Sequence, residues 1–114
     1  MTISDPTMDV LYQSLRGLAA RQRATADNIA NVQTPGFLAN KVDFESSLQR
    51  AISGGAPASA TVESTRSTEP TRQDGNNVNL DDETLSMVDT NLRYQTMVEA
   101  MNAKFRLLRT AMGA

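Results

Sequence analysis

The sequence of 114 residues contains no cysteine, no histidine and no tryptophan, and aromatic residues make up only 4% of it. Without cysteine there is no disulfide, no thiolate nucleophile and no cysteine-based zinc site. Without histidine the chain lacks the usual general base and the commonest metal ligand. No glycine-rich loop followed by lysine is present to bind phosphate. The sequence therefore predicts a protein that is not an enzyme, with no catalytic residue, no metal site and no cofactor.

The charged residues form no long run of one sign along the sequence. The net charge is -2 from 11 basic and 13 acidic residues, which are mixed along the chain. Nucleic-acid binding needs a basic stripe, and membrane insertion needs a long apolar run, and neither pattern occurs. The N-terminus shows no basic region followed by an apolar core, so we expect no cleavable signal peptide.

Periodic apolar residues predict two long helices. The first spans roughly residues 6–32, with Asp5 as its cap and Pro6 at its first position, within an N-terminal region 1–33. The second spans roughly 80–112 in a C-terminal region 80–114, capped by Asn79, with an acidic first turn and Gly113 at its end. The predicted packing seam comprises Leu11, Leu15, Leu18, Ile29, Leu92, Val98, Met101, Phe105 and Leu108.

Residues 34–79 form the middle region between the helices. A short helix is predicted over 43–52, capped by Asp43. Residues 53–77 are dominated by Gly, Pro, Ser and Thr, and Val62 is their only large apolar side chain. Such a composition buries too little surface to offset its ordering, so an irregular, partly flexible linker is predicted.

These patterns predict a mostly α fold in which the two long helices pair as an antiparallel coiled coil. The apolar stripes are narrow, and polar residues such as Gln22, Thr25 and Gln95 interrupt the seam. A pair of helices with such a seam is weak alone, which indicates oligomerisation. Periodicity also fits an ordinary small helical bundle whose polar seam positions face water.

The end of the first helix carries the clearest local motif. Asn28 and Asn31 are poor helix-interior residues, since their amides compete for backbone groups, so we expect them to bond terminal carbonyls or the following turn. In the Thr34-Pro35-Gly36 sequence the proline sets φ, and the glycine accepts the positive φ of a type II turn. This corner places Phe37 beside the helix end. By itself the pattern is equally a well-formed helix stop.

The stretch LAARQRATADNIANVQTPGFLANKVDFE, residues 18–45, resembles the N-terminal motif of the flagellar rod, hook and hook-associated axial proteins. In that family an amphipathic helix runs into Asn-x-x-Asn, Thr-Pro-Gly-Phe, a lysine and Asp-Phe-Glu. The C-terminal runs GNNVNLDDE and NLRYQTMVEAMNAKFRLLRTAM resemble the end of proximal rod subunits. Larger relatives carry a globular middle domain, whereas about 45 residues link the helices here.

The resemblance implies a structural subunit of the bacterial flagellar rod that is located in the periplasmic basal body and required for motility. Such a subunit polymerises with copies of itself, with other rod proteins and with the adaptor between rod and membrane ring, to form a drive shaft and export channel. It is exported by the flagellar type III apparatus without a cleavable signal. Residues Asn28, Asn31 and Thr34 to Phe37 would then set an assembly corner. The alternative is a soluble helical-hairpin adaptor or export chaperone of the flagellar system.

Overall fold

The structure is a computed structural model that describes residues 5–113. Two long helices flank a compact middle segment, and the molecule is elongated, with extents of 64 × 26 × 14 Å. The elements in chain order are α1 (Pro6–Ala30), β1 (Asn40–Asp43), α2 (Glu45–Ser53), a 3₁₀ turn (Pro57–Ser59), β2 (Glu63–Arg66) and α3 (Leu80–Gly113).

Both long helices begin where the sequence predicts. The Asp5 carboxylate accepts a hydrogen bond of 2.8 Å from the Met8 amide, and this bond, together with Lys104, lowers the pKa of Asp5. At α3, the Asn79 side-chain oxygen accepts bonds from the amides of Asp81 (3.0 Å) and Asp82 (3.3 Å). Each cap satisfies amide groups that have no partner within the helix.

The helices α1 and α3 lie side by side and antiparallel. Side-chain contacts join early residues of one helix to late residues of the other: Asp5 with Lys104 at 3.0 Å, Gln22 with Asn91 at 2.8 Å, and Thr25 with Ser86 at 3.5 Å. These contacts are polar, whereas Leu92 and Phe105 of the predicted seam are 60% and 50% exposed. The predicted pairing is therefore present, but these two apolar residues face solvent; a coiled-coil geometry remains a prediction.

The middle segment corrects the prediction of an irregular linker over 53–77. Strand β2 pairs antiparallel with β1, so that Asn40 lies opposite Arg66 and Asp43 opposite Glu63. All four side chains of β2 are exposed, so the strand has no apolar alternation for sequence analysis to detect. Its position is decided by backbone pairing with β1, together with the inward packing of Ala60 and Val62 on its N-terminal side.

The core is small and lies where α1, α2 and the middle segment meet. Helix α2 begins at Glu45, two residues after the predicted start, because Phe44 turns into the core. The buried cluster consists of Leu18, Phe44, Leu48, Ala51 and Ala60, and half-buried Val10, Val42, Val62, Tyr94 and Met97 pack against it. Within residues 5–113, no helix has both the length and the apolarity needed to cross a membrane.

Candidate functional site

The corner after α1 is a tight turn at an exposed surface. The Phe37 amide donates to the Thr34 carbonyl at 3.3 Å, and Gly36 has a φ of 75°, as the sequence predicts. A proline at the second position and a glycine of positive φ at the third are typical of a type II turn. Thr34, Pro35 and Gly36 are exposed, while Phe37 is half-buried with the Arg66 guanidinium 5.2 Å from its ring centre.

The two asparagines of the motif have different partners. Asn28 is buried and pairs with the backbone of Asn40, donating to its carbonyl at 2.9 Å and accepting from its amide at 2.8 Å. Asn31 donates to the Asp27 carbonyl at 2.8 Å and accepts from the Thr34 hydroxyl at 3.0 Å. Asn28 thus attaches the start of β1 to α1, and Asn31 joins the helix end to the turn.

A distant asparagine caps the end of α1. Asn76 has no exposed surface, and its side-chain nitrogen lies within hydrogen-bond distance of three carbonyl oxygens: Asn31 at 2.9 Å, Val32 at 3.2 Å and Thr34 at 2.9 Å. Its side-chain oxygen accepts from the Val78 amide at 2.7 Å. The carbonyls at a helix C-terminus have no intrahelical donor, so a buried amide from 42 to 45 residues away supplies one.

The residues around Asn76 extend this attachment, and we call residues 72–78 the clamp. Arg72 donates to the carbonyls of Val32 at 2.6 Å and Val78 at 2.7 Å, so one guanidinium joins the end of α1 to the approach of α3. The Gly36 amide donates to the Asp74 carbonyl at 2.8 Å. The clamp therefore holds the corner in a fixed position relative to the start of α3.

Asn77 links the clamp to the chain that leaves the corner. Its backbone amide donates to the Phe37 carbonyl at 3.2 Å, and its side-chain oxygen accepts from the Ala39 amide at 2.7 Å. Its side-chain nitrogen donates to the Ser67 and Glu69 carbonyls at 3.2 Å and 3.1 Å. These bonds satisfy backbone groups that would otherwise be left without partners beside β1.

A second set of contacts fixes the middle segment to α1. The Phe44 ring lies directly against Gly17, where no side chain separates it from the helix. Arg21 lies over the same ring at 4.9 Å, donates to Glu45 at 2.6 Å and 2.7 Å, and donates to the Val42 carbonyl at 2.8 Å. The hydrogen bonds between Arg21 and Glu45 lower the pKa of the Glu45 carboxyl and raise that of Arg21.

The predicted seam residues differ in how far they are buried. Leu18 belongs to the buried core, and Leu92 and Phe105 are exposed. The others are half-buried: Leu11, Leu15, Ile29, Val98, Met101 and Leu108. Whether they pack between subunits stays a prediction.

Next to the clamp is a cavity of about 400 Å³ with charged residues in its lining. Asp82 and Glu83 at the start of α3 line it, together with Glu69 and Lys41. Burial raises the pKa of the Glu83 carboxyl, and the neighbouring charge of Asp82 adds to this shift. Across residues 5–113, no three acidic side chains are placed to hold a metal ion together. The hydrogen bonds of the corner and the clamp hold the backbone of this region in one shape.

Several of these contacts involve residues that the sequence analysis did not single out: Gly17, Arg21, Arg72, Asn76 and Asn77. A glycine inside a helical pattern commonly marks close packing, so Gly17 carried a usable signal. Asn76 and Asn77 lie at the end of the stretch that was predicted as linker and within the GNNVNLDDE run that carries the family resemblance. That resemblance gave neither side chain a role, and nothing local distinguishes a capping amide from a solvated one.

The chain is similar along its length to proteins named flagellar basal body rod protein FlgB. It is 28% identical to that of Bacillus subtilis (strain 168), over 98% of this chain and 97% of the relative. It is 29% identical to that of Escherichia coli (strain K12), over 90% and 89%. A segment covering 46% of this chain is 48% identical to part of that of Borrelia hermsii.

No protein-family model matches the chain. The relatives nevertheless agree in name, and the alignments with the first two cover nine-tenths of this chain or more. The resemblance that the sequence motifs indicated is thereby confirmed: over nine-tenths of its length or more, the chain is similar to flagellar basal body rod proteins named FlgB.

Proposed function

We propose that this chain is a structural subunit of the proximal rod of the bacterial flagellar basal body. It polymerises with copies of itself and with other rod proteins, and it contacts the adaptor that joins the rod to the membrane ring. It reaches the periplasm through the flagellar type III export apparatus. The observation that carries this proposal is similarity over nearly the whole chain to proteins named for the rod.

The surface of the molecule supports a role in assembly. Large apolar side chains stay exposed on both long helices, and exposed apolar surface is typical of protein interfaces. The most exposed are Tyr12, Leu85, Val88, Leu92, Phe105, Leu107 and Met112. Neighbouring subunits in a polymer would cover these side chains.

The small core supports passage through a narrow export channel. Five buried apolar residues form the core cluster, and polar contacts mark the pairing of α1 with α3. A chain stabilised by so few apolar contacts unfolds at little cost, and the absence of cysteine leaves no cross-link to reduce first. Folding then gains its remaining stability from neighbours during assembly.

Deletion of the gene, followed by complementation with a tagged copy, tests the proposal. We expect the deletion strain to be non-motile and to lack rods, and the tagged chain to co-purify with isolated basal bodies in fixed proportion to other rod proteins. The rival adaptor or chaperone remains in the cytosol bound to an export substrate. Intact rods in the deletion strain, with the tagged chain in the cytosol, would contradict the proposal.

A further inference from the structure

The outer face of α3 carries alternating acidic and apolar side chains. Leu85, Val88 and Leu92 are 70%, 54% and 60% exposed, although helix positions between them, such as Thr90, are buried against α1. Asp82, Leu85, Asp89 and Leu92 follow each other at spacings of three, four and three residues, which places them on one helix face. We call these four residues and Val88 the acidic stripe.

The outer face of α1 carries the matching pattern with the opposite charge. Arg16, Ala19, Arg23 and Ala26 follow each other at the same spacings of three, four and three residues. Arg16, Ala19 and Arg23 line a shallow groove of about 300 Å³. Ala20 and Val62 of the middle segment complete its lining. We call this surface the basic groove.

The charges of the two surfaces are available. Among residues 5–113, neither Arg16 nor Arg23 forms an ion pair with a carboxylate, and neither does Asp82. Asp89 pairs with Arg93 on its own helix at 2.9 Å, with both side chains more than half exposed. An exposed pair of that kind is weak, so Asp89 can exchange Arg93 for another cation.

We propose that the acidic stripe of one copy docks on the basic groove of a second copy of this chain. The inference rests on the proposed function and specifies the contact between its subunits. Leu85 enters the groove over Ala19 and Ala20, where small side chains allow close approach. Asp82 then lies opposite Arg23, and Asp89 opposite Arg16. The register is antiparallel because α1 and α3 are antiparallel within a subunit. When two copies have the same orientation, α3 of one copy is therefore also antiparallel to α1 of the other.

The arrangement produces a continuing chain of subunits and not a closed dimer. The acidic stripe lies on the side of α3 that is turned away from α1, and the basic groove lies on the exposed side of α1. Each copy therefore presents one surface of each kind, on different parts of the molecule. Contacts between two different surfaces are heterologous, and they propagate until a rotation closes them into a ring.

Cysteine cross-linking tests the contact directly, because the natural chain has no cysteine. A chain carrying both Leu85→Cys and Ala20→Cys should form a ladder of multimers under mild oxidation, in assembled basal bodies and in concentrated purified protein. The matched controls are the single variants. Leu85→Cys alone should form no dimer, because its neighbour offers alanine; efficient dimers from this variant would overturn the proposal, since they would show α3 against α3.

Charge exchange tests the register in the same cross-linking background. Asp89→Lys should reduce multimer formation by about tenfold, and adding Arg16→Glu should restore it. Glu99→Lys makes the same charge change further along α3 and should have little effect. Restoration by Arg23→Glu in place of Arg16→Glu would overturn the antiparallel register.

The outcomes separate this inference from the proposed function. If the chain is incorporated into rods but the double cysteine variant gives no ladder, the contact is wrong and the rod function stands. If the chain is absent from basal bodies, the proposed function fails, and a ladder in purified protein still supports self-association through these two surfaces.

Discussion

Gly17 lies in the middle of α1 with the ring of Phe44 resting on its backbone. A Cβ atom built on Gly17 would overlap the Cγ, Cδ1 and Cδ2 atoms of that ring. The missing side chain therefore decides how closely the start of α2 approaches α1. Arg21 lies over the same ring, 4.9 Å from its centre, and binds Glu45.

Gly17→Ala should destabilise the protein, although alanine favours a helix over glycine by about 1 kcal/mol. Overlap with Phe44 forces the ring to move, at a cost of about 1 to 3 kcal/mol. This cost exceeds the gain in helix propensity. Thermal unfolding followed by circular dichroism measures the difference. In a Phe44→Leu background the penalty should shrink. An equal penalty in both backgrounds would contradict the packing explanation.

Asn76→Ala should cost about 2 to 4 kcal/mol of unfolding free energy, because it removes the side-chain amide shared by three carbonyls and the acceptor of the Val78 amide. Denaturant titration of the purified chain is the measurement. The control is Asn102→Ala, which truncates an exposed asparagine on α3 and should change stability little. Equal effects of the two substitutions would show that the clamp contributes little to the fold.

Thr90→Val should raise stability by about 1 kcal/mol. Thr90 is 1% exposed in the contact between the long helices, and its hydroxyl oxygen has no hydrogen-bond partner within residues 5–113. Valine has nearly the same shape and removes the cost of burying an unpaired hydroxyl. Thr96→Val is the control, since Thr96 is exposed and bonds the Leu92 carbonyl at 2.9 Å. A loss of stability at position 90 would mean that the hydroxyl finds a partner in solution.

Glu45→Gln should lower stability at pH 7 by about 0.5 to 1 kcal/mol, a modest value because the Glu45 side chain is 49% exposed. Hydrogen bonds from Arg21 lower the folded-state pKa of Glu45 below its unfolded value. Its contribution is therefore present above about pH 4.3 and is lost as the pH falls through the folded-state pKa. Unfolding midpoints of the two proteins should converge as the pH falls below the folded-state pKa of Glu45. The raised pKa of Glu83 acts with the opposite sign but is common to both proteins.

Gly36→Val should block assembly while leaving export normal. The φ of 75° at Gly36 costs a β-branched residue about 1 to 3 kcal/mol, although a Cβ atom there would meet no neighbour within 4 Å in the described part of the chain. The cost recurs in every subunit, whereas the unfolded chain in transit has no turn to strain. Motility and the amount of secreted subunit are the readouts. Gly36→Asn, which tolerates positive φ better, should retain more motility; normal swimming with valine would indicate that the corner is only a helix stop.

Features with a local cause could be predicted from the sequence. The caps at Asp5 and Asn79, the extents of α1 and α3 and the positive φ of Gly36 each depend on residues within a few positions of one another. Hydrogen bonds from a capping side chain and the steric limits of Pro35-Gly36 act before any tertiary contact forms. The family motif was likewise visible in the order of the residues alone.

The tertiary structure decided everything that depends on distant partners. Strand β2 has only exposed side chains, so its pairing with β1 had no signature in its own composition. Asn76 reads as a linker residue until the end of α1 brings carbonyl oxygens to it across more than 40 positions. Leu92 and Phe105 were predicted as seam residues but are exposed, because periodicity identifies a face of a helix and not what covers that face. The pairing of β1 with β2, the hydrogen bonds of Asn76 and the choice of which helix face is buried are all stabilised by groups that are distant in sequence. Only folding brings those groups together.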